Sequence, residues 1–296
     1  MPRTNANGVE IEYETFGDPT QVPLLLLSGG GAQMTFWQEP FCERLAARGF
    51  CVVRLDNRDV GLSTWFDAAG VPDVPAVREG RAQAPYLLDD MAQDTVDVID
   101  ALGATAAHVV GISLGGYIAQ VMAINHPDRV LSIVSMASGV GGPDNIYGNP
   151  EGGWNDDDED GKAELTFDEA IERRLDDIEW MSTPQYFDRD VIRPRIIRAM
   201  ERARNPAGAE RQAAAVHAGG SRAAALRETR VPSLILHGAL DPHLPVENAH
   251  RTAAAIPGSR LVVIPDLAHD LPDQKWDEVI DLIVEHARKA EGRAAV

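Results

Sequence analysis

The chain reads as an α/β fold, with a mostly parallel central sheet flanked by helices and a helical cap inserted into it. Three observations carry this reading. Short, unbroken apolar runs alternate with amphipathic helical stretches along most of the 296 residues, as expected of parallel strands joined by right-handed crossovers. One stretch, from about 139 to 230, lacks buried-strand signals and holds several helical runs instead. Between an apolar run and a helical one stands Gly111-Ile112-Ser113-Leu114-Gly115, a G-x-S-x-G pattern in the strand-then-helix context that such a turn requires.

Val9 to Phe16 alternates apolar and polar residues, which predicts an antiparallel edge strand turning at Gly17-Asp18-Pro19. Pro23 to Leu27 is the first buried strand, closed by Ser28-Gly29-Gly30-Gly31. Glu39 to Arg48 follows as a helix with Phe41, Leu45 and Ala46 inward, and Phe50 to Leu55 is the next buried strand. Asp89 to Leu102 places Met91, Val96, Ile99 and Leu102 on one helical face and leads into the strand before Ser113. Leu131 to Ala137, Ser233 to His237 and Leu261 to Ile264 continue the sheet, and Trp276 to Arg288 closes the chain as a helix. The division is therefore a core of residues 1–138 and 231–296, with a cap of residues 139–230. Its helices are read at Thr166 to Leu175, where Thr166 and Glu169 have capping-box spacing, at Pro194 to Arg204 and at Ala209 to Ala218. A cap in this position lies over the carboxyl edge of the sheet, where α/β sheets take their ligands.

Bulk composition narrows the partners. A formal net charge of −19 opposes phosphate backbones and anionic membranes at long range, so nucleic acid and membrane surfaces are not expected. No stretch approaches a membrane span, and the polar start Met1-Pro2-Arg3-Thr4-Asn5 has no apolar leader, so a cytoplasmic location is the default expectation. Cys42 and Cys51 lack metal-ligand spacing and are expected to be reduced and mostly buried. The oligomeric state, a homo-oligomer included, stays open.

A serine hydroxyl is a weak nucleophile until a base takes its proton, and the base needs an acid to orient it. On a strand-to-helix elbow the chain order is Ser, then Asp or Glu, then His, each on a loop leaving a strand. The loop after Ser233 to His237 nominates Asp241, and the loop after the last strand nominates His269, with Ser113 as nucleophile. His237 and His243 are the nearer rival bases because they flank Asp241. Asp266 and Asp270 are the alternative acids, but they stand too close to His269 in sequence for either to reach its ring without a tight fold. The oxyanion needs two donors: the Leu114 N–H, and one from the glycine run, Gly30 first and Gly31 second. Tyr117 is expected to pack the elbow helix. Met34, Phe36 and Trp37 are read equally as pocket lining or as core.

These residues resemble the α/β-hydrolase family over nearly the whole chain. Asp56-Asn57-Arg58-Asp59-Val60-Gly61-Leu62-Ser63 matches that family's D-x-R-x-x-G-x-S loop, and Ser28 through Trp37 is most similar to the aclacinomycin methylesterase and actinobacterial carboxylesterase branch. The resemblance implies hydrolysis of small to medium carboxylic esters, methyl esters among them, by a serine mechanism that uses neither cofactor nor metal. Where many relatives begin the oxyanion loop with His-Gly, this chain has Ser28-Gly29. Perhydrolase, lactonase and carbon–carbon hydrolase chemistry on the same triad are the alternatives, as is a ligand binder without catalysis. The acidic run Asp156-Asp157-Asp158-Glu159-Asp160-Gly161 imitates the start of a calcium loop, but Phe167 occupies the place of its bidentate glutamate, so a solvated acidic loop is expected.

Overall fold

The computed structural model describes residues 2–148 and 165–294. The acidic run at 156–160 lies outside them. Eight strands form one sheet: β1 (Arg3–Ala6), β2 (Val9–Phe16), β3 (Pro23–Leu27), β4 (Cys51–Leu55), β5 (Ala107–Ile112), β6 (Val130–Met136), β7 (Ser233–Gly238) and β8 (Arg260–Ile264). Their order is β1-β2-β4-β3-β5-β6-β7-β8. All pairs from β4 to β8 are parallel, whereas β2 runs antiparallel to both of its neighbours.

Val9–Phe16 is thus not the edge strand expected of it, because β1 pairs outside it, with Thr4 opposite Ile11. The connecting turn is Asn7-Gly8, both at positive φ (48° and 80°), a combination that suits a two-residue hairpin. A strand of four mostly polar residues carries too little alternation to be seen by periodicity alone.

Alternation along each buried strand sends successive side chains to opposite faces. Leu24, Leu26, Val52 and Val110 pack with Phe41 and Leu45 of α1 (Glu39–Ala46) and with Val279, Ile280 and Ile283 of α10 (Trp276–Ala294). Leu25, Leu27, Val53 and Val109 pack on the other side with Met91 and Val96 of α3 (Leu88–Ala101) and Ile118 and Met122 of α4 (Leu114–Asn125). All four leucines of β3 are fully buried, each contributing about 2 kcal/mol by removal from water. Cys42 and Cys51 are buried free thiols, and burial pushes Cys42 up to about 12.

Between the neighbouring strands β6 and β7 the chain forms α5 (Phe167–Met181), α6 (Arg189–Arg202), α7 (Pro206–Ala218) and α8 (Ala223–Leu226). Thr166 and Glu169 form the expected capping box at the start of α5. Helix α6 begins earlier than Pro194 suggested. Asp188 caps it by accepting from the Asp190 N–H, and Pro194 sits inside. Helices α5 and α6 pack through Ile171, Leu175 and Ile196, while Ala214 of α7 meets Val74 and Val77 of α2 (Val74–Arg78). Among the described residues no helix is long and apolar enough to cross a membrane.

Candidate active site

Ser113 caps α4 directly after β5, with φ 53° and ψ −117°. For a residue with a side chain this is a sparsely populated conformation, worth about 1–3 kcal/mol of strain unless its surroundings enforce it. They do. The Ser113 N–H bonds to Met136 O at 2.9 Å, and its carbonyl accepts from Gly116 N, Tyr117 N and the Ser138 hydroxyl. The flanking glycines permit the turn by close approach. A Cβ on Gly111 would come within 2.0 Å of Gly115 O, and one on Gly115 within 2.2 Å of Leu27 O. The second contact also sets the start of α4 against the end of β3, beside the strip Ser28–Gly31.

Asp241 follows β7 and His269 follows β8. The His269 Nδ1 lies 2.7 Å from Asp241 Oδ2. The other carboxylate oxygen accepts the N–H groups of His243 and Leu244 at 2.9 and 2.8 Å. Burial opposes ionisation of Asp241. The charge of His269 and hydrogen bonds from His237 and His269 outweigh it and hold the carboxyl well below the usual range.

The two rival histidines also gather around this carboxylate. His237 Nε2 lies 2.7 Å from Leu244 O and 3.2 Å from Asp241 Oδ2, on a fully buried side chain, so it backs the acid and does not reach the cavity. The His243 ring stands edge-on to His269, with 4.8 Å between centroids. The rival acids are engaged elsewhere: Asp266 with Tyr186 and Lys275, Asp270 with Thr183.

Ser113 and His269 open onto one cavity of about 1600 Å³, lined by Gly29, Gly30 and Gly31 and by residues of α5, α6 and α7. The glycine strip forms a turn in which Ala32 N bonds to Gly29 O, with Gly31 at φ 65°. The Gly31 N–H is taken by Gln212 Oε1 of α7 at 2.8 Å, and Gln212 Nε2 donates to Arg58 O at 2.7 Å. Gly30 keeps its place on the cavity wall. Leu114, as first residue of α4, has an N–H that no helical carbonyl can take. Phe36 lines the cavity. Met34 and Trp37 are buried, Trp37 lying edge-on to Phe36 and tilted against Phe41. Tyr117 is buried on α4 beneath Arg222.

The helices over the cavity are fastened by buried polar contacts that no spacing in the chain signals. Arg211 of α7 makes a bidentate pair with Asp59 at 2.8 Å for both bonds, and Arg202 of α6 pairs with Asp56 at 2.7 Å. Asp56 also accepts the N–H groups of Met34 and Leu62, so the D-x-R-x-x-G-x-S loop ties the segment after the glycine strip to α6. Among the described residues no group of three or more His, Cys, Asp or Glu side chains could hold a metal ion.

Comparison with known proteins agrees with this architecture. Residues 24–282 match the family model described as the alpha/beta hydrolase family. Rhodomycin D methylesterase DauP of Streptomyces sp. (strain C5) is 31% identical, over 95% of this chain and 96% of that protein, and DnrP of Streptomyces peucetius shows the same values. Two solved structures share the fold at low identity. The enol-lactonase of Burkholderia xenovorans LB400 has a TM-score of 0.75 at 22% identity, covering 96% of this chain and 99% of that one. The meta-cleavage product hydrolase CumD of Pseudomonas fluorescens IP01 has a TM-score of 0.76 at 19%, covering 98% of each. With the family match spanning most of its length, on a parallel sheet with a serine at the strand-to-helix elbow, the chain belongs to the alpha/beta hydrolase family.

Proposed function

We propose that the protein is a serine carboxylic ester hydrolase, with Ser113 as nucleophile, His269 as base and Asp241 as the acid that orients it. The observation that carries this is the 2.7 Å contact between His269 Nδ1 and Asp241, on loops that bring His269 to the cavity bearing the strained Ser113. With the Nδ1–H donating a hydrogen bond to the Asp241 carboxylate, Nε2 is left as the free base. It takes the Ser113 hydroxyl proton as Oγ bonds to the ester carbonyl carbon. The negative charge moves to the carbonyl oxygen, where the Gly30 and Leu114 N–H groups receive it. Collapse breaks the bond to the alcohol oxygen, which leaves with the proton from His269. Water then attacks the acyl-enzyme, loses its proton to His269 and releases the acid, and the proton returns to Ser113.

The engaged Gly31 N–H supports Gly30 as the donor from the glycine strip. Residues 139–230 act in this reading as a cap domain over a core of 1–138 and 231–296. Two observations favour methyl esters of a bulky acid: the names of the two methylesterases, and a cavity of about 1600 Å³, above the usual range for small-molecule sites.

The test compares wild type with Ser113→Ala on p-nitrophenyl acetate and butyrate and on a panel of methyl esters, alongside labelling by a fluorophosphonate. Activity is expected to fall by at least about a thousandfold, and labelling to vanish. Equal activity in the two proteins overturns the reading.

A further inference from the structure

The loop that carries His269 leaves β8 at Ile264 and regains helical structure only at the short 3-10 turn Asp273–Lys275 that leads into α10. Loops of this kind are mobile unless tied down, yet a general base must be held within about 0.5 Å of its working position. The ring is tied to Asp241, but the two peptides that lead into His269 are tied to the segment at the end of α5. The Ala268 N–H donates to Thr183 Oγ1 at 2.9 Å, and the His269 N–H donates to Met181 O at 3.0 Å. The Asp270 carboxylate accepts from the Thr183 N–H at 3.0 Å and from the Thr183 hydroxyl at 2.8 Å. Thr183 is fully buried, so its hydroxyl has both its donor and an acceptor lone pair committed, in surroundings where an unmade bond is expensive. One turn further on, Tyr186 donates to Asp266 at 2.7 Å. Both carboxylates that flank His269 in sequence therefore grip the segment just after α5.

We infer that Thr183, together with Asp270, is a positioning residue for the base: the segment after α5 completes the histidine loop and fixes where the imidazole stands relative to Ser113. The inference rests on His269 being the base of the proposed hydrolase. It makes the end of α5 a fixed part of the catalytic apparatus, so opening of the cavity must come from another part of the insertion.

The test uses the full chain with Thr183→Val, which keeps the side-chain shape and removes the hydroxyl, and Thr183→Ser, which restores it. Thr166→Ala, at the exposed far end of α5, controls for loosening the helix. Active sites are titrated with a fluorophosphonate, and kcat and KM are measured per titrated site. The Thr183→Val variant is expected to lose kcat by about ten- to a hundredfold with KM within about twofold, and to lose the downfield proton resonance of the His269 Nδ1–H. Thr183→Ser is expected within about threefold of wild type, and Thr166→Ala unchanged. Wild-type kcat per titrated site in Thr183→Val overturns the inference, whatever happens to its melting temperature. Should that variant not fold, Asp270→Asn is read in the same way, with unchanged kcat overturning the inference. A Ser113→Ala protein that keeps full activity sinks the proposed function itself; an inactive Ser113→Ala beside a fully active Thr183→Val sinks only the positioning role.

Discussion

A peptide N–H can serve an oxyanion only if no other acceptor holds it. Gln212 removes the Gly31 N–H from that role and spans from it to Arg58 O, a link of 181 residues in sequence between α7 and the glycine strip. Replacing Gln212, itself fully buried, with leucine leaves the half-buried Gly31 N–H and the buried Arg58 carbonyl unpaired and frees the turn that aims Gly30. The expected outcome is about tenfold lower kcat on p-nitrophenyl butyrate, since the donor is displaced and not deleted, with about 1–3 kcal/mol lost from stability in denaturant titration. Unchanged kcat would show that Gly30 is aimed without Gln212. No pattern in the sequence marks Gln212 or Thr183, because each matters through a partner that only folding brings near. Ser113, Asp241 and His269 could be nominated beforehand because elbow chemistry constrains both their order and the strands they follow. Met34, Phe36 and Trp37 could not be separated by composition. Their side chains diverge within a single turn, Phe36 to the cavity and the other two to the core.

At the scale of elements, the join between insertion and sheet is electrostatic as well as apolar. Arg211 and Asp59 are both buried, at 1% and 0% side-chain exposure, and Asp59 holds a φ of 71° that favours Asp, Asn or Gly. Breaking this pair from one side strands a charge. Arg211→Met is expected to destabilise the protein by about 3–5 kcal/mol, and the double variant Arg211→Met with Asp59→Asn to recover most of that loss; urea unfolding of the three proteins measures both. A double variant no more stable than the single one would show that the loss comes from packing. Most strands were legible here, since β3, β4, β5 and β7 are buried on both faces and show it as predominantly apolar runs. The boundary of α6 was not. Pro194 imitates a helix start, but Asp188 supplies the cap and the helix runs through the proline.

Across the whole molecule, one buried histidine away from the cavity bears on stability. His108 on β5 lies between Ser132, 2.8 Å from its Nδ1, and Glu291 of α10, 3.4 Å from its Nε2, with its ring edge-on to Phe50. Burial lowers His108 to about 4, against the opposing pull of Glu291. The unfolded chain therefore binds this proton at a higher pH than the folded one. Its contribution to stability is full above about pH 6.5 and is lost as the pH falls toward 4, about 3 kcal/mol in all. The acid loss of stability in wild type should exceed that in His108→Gln by this amount between pH 7 and 4, followed by urea midpoints. Parallel pH curves would show that the buried ring does not titrate in this window.

The sequence alone determined the alternating α/β sheet, the elbow and the order of the three candidate side chains. Each of these is written in local terms: apolar periodicity, glycine at positions where a Cβ would collide, and polar residues on loops that follow strands. Only the tertiary structure decided which glycine N–H is engaged by Gln212, that His237 stands behind Asp241, and that the end of α5 grips the loop of His269. Those outcomes depend on contacts between groups four to nearly two hundred residues apart, whose directions exist only once the sheet and the helices over it have packed.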